Sequence, residues 1–184
     1  MHALFKKAFA GCTALLVLGA SSALAQVGLT SNVATVALTA TKNATLAVSA
    51  TPTATLASIT DNSNNNDFSA VTVQTDWNLT AGSTVRLVGY FLTPAQALVN
   101  GTDFIPSSKV EGRIGAAAYA PFTGGAVGGV GVANGSLQLF SQAVGAGTYL
   151  GTRSDNLDIR LNLAGTTTVA GNYTGTLNLQ AVVQ

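Results

Sequence analysis

Apolar and polar side chains alternate with a period of two in one segment after another. Val71, Val73, Thr75, Trp77 and Leu79 fall on one face, and Thr72, Gln74, Asp76, Asn78 and Thr80 on the other. Leu157, Ile159, Leu161 and Leu163 alternate with Asp158, Arg160 and Asn162. Near the C-terminus Leu177, Leu179, Ala181 and Val183 alternate with Thr176, Asn178, Gln180 and Val182. Successive side chains of a strand point to opposite faces, so these patterns predict half-buried strands. Looser alternation predicts further strands over 33–40, 44–50, 85–92, 108–114, 127–132 and 137–143. The 85–92 segment is apolar on both faces, with Arg86, Val88, Tyr90 and Leu92 opposite Val85, Leu87 and Phe91. That suits a strand in the middle of a sheet or in an interface.

The punctuation falls between these runs. Asp61-Asn62-Ser63-Asn64-Asn65-Asn66-Asp67 reads as a polar loop, and Ala81-Gly82-Ser83 as a hairpin connection. Asn134-Gly135 is the strongest short hairpin signal, since both residues tolerate positive φ. Pro94 to Asn100 reads as one short helix, capped by Thr93 and ended by Gly101. The Gly- and Ala-rich stretch 116–129 reads as a long mobile loop with an irregular edge strand. Ala146-Gly147-Thr148-Tyr149-Leu150-Gly151-Thr152 is echoed by Ala170-Gly171-Asn172-Tyr173-Thr174-Gly175-Thr176. Each copy reads as a turn leading into a strand that its Tyr anchors, and two copies fall short of a solenoid. About eight to ten short strands with turns between them predict an all-β fold. The expectation is a single antiparallel two-sheet sandwich, Ig-like or jelly-roll, with one short helix.

The N-terminus follows a different logic. Lys6 and Lys7 form a basic start, an uncharged Ala- and Leu-rich run follows to Ala20, and Ala23-Leu24-Ala25 is a small-x-small cleavage site. Residues 1–25 therefore read as a signal peptide, with Gln26 the mature N-terminus and 26–184 a single sandwich domain. The apolar run is shorter than the roughly 20 residues a membrane span requires. A lipoprotein reading at Cys12 is disfavoured because most of the apolar run follows that cysteine. The expected localisation is export by the general route, to the periplasm, cell surface or exterior, with no membrane span after cleavage.

Cleavage changes the chemical inventory. Met1, His2 and Cys12 leave with the leader, so the mature chain has no Met, His or Cys. Lys6 and Lys7 leave too, and the 7 acids then outnumber the bases by one. This balance offers no footprint for nucleic acid. Without His or Cys there is no Ser-His-Asp or Cys-His nucleophile and no nitrogen- or sulfur-ligated metal. No phosphate-binding glycine motif precedes a helix. The charged fraction is only 8%, and Thr, Val, Ala, Gly, Asn and Leu dominate, a composition suited to pleated surfaces.

What remains for chemistry is oxygen and aromatic rings. Paired carboxylates can hydrolyse glycosides, and the acids available are Asp61, Asp67, Asp76, Asp103, Glu111, Asp155 and Asp158. Asp76 and Asp158 fall on polar strand faces, Asp61, Asp67, Asp103 and Asp155 in expected loops, and Glu111 beside Arg113 as a surface pair. All read as solvated, so no catalytic, cofactor or metal residue is assigned. The alternate oxygens of Asp61, Ser63, Asn65 and Asp67 partly imitate a calcium loop. However, Asn66 stands where glycine belongs, and Thr72 where the bidentate Glu belongs. Trp77 shares its face with Val71, Val73 and Leu79 and reads as core rather than as a sugar platform. Tyr90, Tyr119, Phe122 and Phe140 are the aromatics left for carbohydrate binding.

Trp77-Asn78-Leu79, following a Val/Thr strand, resembles the first motif of the WxL family of bacterial surface proteins. The 170–179 segment sits where that family's second Trp-x-Leu motif would fall but has no Trp. The C-terminal AGNYTGTLNLQA is similar to the last strand of fimbrial-type and spore-coat-like secreted sandwiches, and the whole to small exported bacterial β-sandwich proteins. The resemblance implies cell-surface or fibre-associated material and carries no catalytic residue over. The expectation is a non-enzymatic exported structural or cell-surface protein, a fimbria-like or extracellular-matrix subunit; the alternative is a carbohydrate-binding module. Expected partners are further copies of itself, other surface proteins or glycans. From Val27 to Ala50 the only charge is Lys42. This stretch is expected to pair within its own sandwich or, as the alternative, to add to a neighbour's open edge.

Overall fold

The computed structural model describes residues 33–184. The expected leader, with Cys12 and the Gln26 start, lies outside the described residues. The chain divides into two compact units, Met1–Thr41 and Lys42–Gln184. In the first, the described residues 33–41 are irregular and exposed throughout, so the strand expected over 33–40 is absent. Alternation makes a segment suitable for a sheet edge, but a strand exists only once an edge pairs with it.

The second unit is an all-β sandwich of two antiparallel sheets. Its strands are β1 (Thr45–Ala50), β2 (Asn66–Asp67), β3 (Val71–Asn78), β4 (Thr84–Tyr90), β5 (Leu98–Asn100) and β6 (Asp103–Ile105). There follow β7 (Val110–Ile114), β8 (Ala120–Pro121), β9 (Ser136–Ala143), β10 (Leu150–Leu161) and β11 (Asn178–Val183). One sheet runs β1-β3-β10-β7-β8, with β2 also on β10; the other runs β11-β4-β9. The β5–β6 hairpin stands apart. Across the sandwich β1 lies near β11, and β7 near β9. No helix among the described residues is long and apolar enough to cross a membrane.

The alternation did its work where one face met the core. On β3, Val71, Val73, Thr75 and Trp77 are buried, while Thr72 and Gln74 are exposed. On β10, Leu157, Ile159 and Leu161 are buried. Strand β4 sits in the middle of its sheet, as its two apolar faces require.

Phe122 joins the two sheets. Its ring is fully buried and meets Phe91 edge-on at 5.3 Å between centroids. A Cβ on Gly89 of β4 would lie 2.9 Å from this ring, and one on Gly112 of β7 3.0 Å. The two glycines open the space the ring fills. The stretch expected to be a mobile loop therefore carries a central core residue.

Other local expectations are corrected. Pro94–Gln96 is a single 3₁₀ turn, and Leu98–Asn100 continues as β5 rather than as helix. Val99 there exchanges both backbone hydrogen bonds with Thr174, a ladder that outcompetes one helical turn. The strand expected over 127–132 is a tight turn through Gly128-Gly129, in which Val127 and Val130 bond each other. Asn134 adopts φ 60°, but the turn feeds β9 rather than closing a hairpin, as Gly124 pairs with Ser136. Ala81-Gly82-Ser83 does link β3 to β4, but as a passage between sheets.

Candidate functional site

Three places concentrate side-chain chemistry, beginning with the outer face of the larger sheet. Register sets Glu111 of β7 opposite Arg160 of β10, and Arg113 opposite Asp158. Glu111 accepts from Arg160 Nε at 2.7 Å and from Asn162 Nδ2 at 2.9 Å. Arg113 Nε donates to Asp158 at 2.9 Å. Glu111 and Arg113 were expected to pair along one strand; each instead pairs across to β10, because directly opposed residues lie closer than neighbours two apart. Tyr119 roofs the ladder, with the Arg160 guanidinium 3.9 Å and that of Arg113 4.3 Å from its ring centroid. Desolvation raises the Tyr119 pKa above 10.0, so the ring stays neutral over its two cations. Further along this face Asp76 is held below its ordinary 3.8 by bonds from Thr152 and Gln74.

The second place lies in the first half of β10. Asp155 was expected in a loop; it is in β10, on the core side, and accepts from Arg153 Nε. Arg153 in turn stacks 4.3 Å from the Phe140 ring centroid. Asp67 and Asp103, also expected in loops, lie in β2 and β6.

The 61–67 loop closes on Asn66 rather than opening toward a cation. Asn66 is buried, accepts from Thr60 N at 2.6 Å, and donates from Nδ2 to the carbonyls of Thr60 and Ser63. Ser63 Oγ is taken by Asn65 N, and Asp61 by Thr168. Two of the four oxygens that imitate a calcium loop, those of Asp61 and Ser63, are thus taken up by the protein's own hydrogen bonds. Among the described residues no group of three or more His, Cys, Asp or Glu converges.

The aromatics considered for sugar binding do not form a row. Phe122 and Phe140 are buried, Tyr119 covers the ion pairs, and Tyr90 bonds Gln180 across the sheet. Trp77 is core, with Nε1 donating to Thr148 O at 2.9 Å. Of the two echoed tyrosines, Tyr173 packs against the core and Tyr149 is exposed.

The third place escaped sequence reasoning. Along the side of the sandwich between edge strands β1 and β11 runs a cavity of about 450 Å³. Core residues Val71, Phe91, Val110, Leu157 and Ile159 line it, with Val48 on one rim and Leu177 and Leu179 on the other. A second cavity of about 440 Å³ shares Ala54, Phe68, Leu98 and Gly175 with the first and extends to Ile59 and Tyr173. Among the described residues, eight of the twelve half-buried apolar residues packed against the core line these two cavities. Its walls are the 51–59 and 171–177 stretches, which form no continuous ladder. No strand pattern marks the 51–59 stretch, and the 170–176 stretch reads only as a turn leading into a strand, so nothing in the sequence points to a cavity between them.

No family model, curated protein or solved structure matches this chain significantly.

Proposed function

We propose that this is a non-enzymatic exported structural protein, a subunit of a cell-surface or extracellular assembly. The observation that carries the reading is the open side of the sandwich, where a cavity reaches core side chains between two edge strands without a charge. β1 reads TLAVSA and β11 reads NLQAVV. Proteins that remain apart usually guard such edges with Lys, Pro or inward charges. An unguarded edge beside an unfilled groove invites a further strand. The carboxylates support the same reading, because Glu111 and Asp158 are committed to ion pairs that tie β7 to β10, and Asp155 to one within β10.

Fractionation of the cells that make the protein tests this. The expected result is a mature form outside the cytoplasm, beginning at Gln26 by mass spectrometry, that pellets with extracellular or surface material. A chain retained in the cytoplasm with Met1 intact overturns the proposal. Binding on a glycan array, with no pelletable material, would favour the carbohydrate-binding alternative.

A further inference from the structure

We infer that the groove between β1 and β11 receives the Val33–Thr41 arm of a second copy of this chain, so that subunits join head to tail. The inference rests on the structural reading above and names the partner and the contact. On the acceptor, the groove reaches down to buried core residues such as Val71 and Val110 between half-buried rims at Val48, Leu177 and Leu179, and among the described residues β1 and β11 each pair with a strand on one side only. The two cavities adjoin at Ala54, Phe68, Leu98 and Gly175, so together they offer a longer surface to an extended segment than either alone. On the donor, 33–41 has no strand partner, and Val33, Val36 and Leu38 are 89%, 80% and 90% exposed.

The arm's pattern fits the groove. Ala34, Val36, Leu38 and Ala40 lie on one face of an extended chain, and Thr35, Ala37, Thr39 and Thr41 on the other. The first set would enter between the sheets, and the second would stay with the Thr-rich surface. Residues 33–41 carry no charged side chain, and Lys42 follows them directly. Extended, the eight residues 33–40 span about 26 Å, longer than the roughly 20 Å of a six-residue strand such as β1. Backbone bonds to a free edge would hold the arm, and alternate side chains in the groove would set its register. Because donor and acceptor surfaces differ, the contact is heterologous and propagates into a chain of subunits.

Light scattering on the full exported chain, over a concentration series, decides the matter against a Val36→Lys/Leu38→Lys variant. These positions are exposed, so the variant should keep the parent's circular dichroism. The parent should give masses rising with concentration as multiples of one subunit, and the variant the mass of one subunit throughout. Mixed with the parent, the variant keeps its groove but has no usable arm, so it should cap chains and shorten them. A parent that stays at the mass of one subunit overturns the inference, as does a variant that assembles like the parent or fails to join it. Fractionating both strains separates the two readings. Equal pelletable material outside both leaves the structural reading standing and removes the arm as donor. Protein confined to the cytoplasm removes the structural reading, while the masses still judge the arm.

Discussion

Trp77 shows how one side chain gathers several constraints. Its ring is 6% exposed, its indole N–H is satisfied by Thr148, and it lies over Gly151 of the neighbouring strand. A Cβ at Gly151 would collide with the indole, so Gly151→Ala should destabilise the fold even though it deletes nothing. Trp77→Ala should cost about 3–5 kcal/mol in chemical denaturation, the usual penalty for a large cavity. Loss of sugar binding at unchanged stability would instead show that the ring is a binding platform. The burial of Trp77 was legible from its alternation with Val71 and Val73. That of Phe122 was not, because its partners are the absent side chains of Gly89 and Gly112, and a space made by glycine leaves no apolar pattern. At the surface, Asp76 offers a residue-scale test of electrostatics. Its folded pKa is lowered, so its contribution is present above 3.8 and is lost as pH falls through the lower folded value. By NMR titration its midpoint should lie below 3.8, and Thr152→Val should move it up, because the threonine bond is the largest cause.

Strands β7 and β10 show how register sets the energies of side chains that face each other. Their register creates two ion pairs in one ladder that differ in burial, which makes their energies separable. The Glu111 and Arg160 side chains are 12% and 20% exposed, and those of Asp158 and Arg113 31% and 34%. Exposed pairs couple by up to about 1 kcal/mol, and truncating one member of a buried pair costs about 3–5 kcal/mol. A double-mutant cycle on Glu111 and Arg160 should therefore give a coupling of roughly 1–3 kcal/mol. The same cycle on Arg113 and Asp158 should give less than about 1 kcal/mol. Equal couplings would mean that the Tyr119 roof, which both arginines share, dominates over burial. The length of β10 shows where reading by pattern stops. Its second half announces itself through Leu157, Ile159 and Leu161, but in its first half Gly151, Arg153 and Asp155 take the inward positions. Glycine under an indole and an arginine stacked on Phe140 fill those places without being apolar. The 94–101 stretch failed for the opposite reason. Its capping signals were those of a helix, and only the distant Thr174 ladder decided for a strand. Two of the three candidate places share this property: the ion pairs depend on strand register, and the groove on which edges remain unpaired.

At the scale of the whole molecule, the division at Thr41/Lys42 places the sandwich on one side and the described residues 33–41 on the other. Among the described residues, every member of the core cluster, and every half-buried residue packed on it, lies at Leu46 or beyond. The Val27–Ala50 stretch that reads as one run in the sequence is thus split, with Thr45–Ala50 pairing on β3 and 33–41 taking no strand. Hydrophobic stabilisation follows the apolar area removed from water, and the exposed residues 33–41 remove almost none. Deleting them should therefore leave the unfolding midpoint unchanged in dilute solution, where association contributes nothing. At high concentration the two proteins should diverge. A ligand that binds only the folded state raises its stability with concentration, and a second copy seated in the groove is such a ligand. The parent's thermal midpoint should climb with protein concentration, and the deletion variant's should stay flat. A deletion variant that unfolds earlier even when dilute would mean that the arm already belongs to its own sandwich.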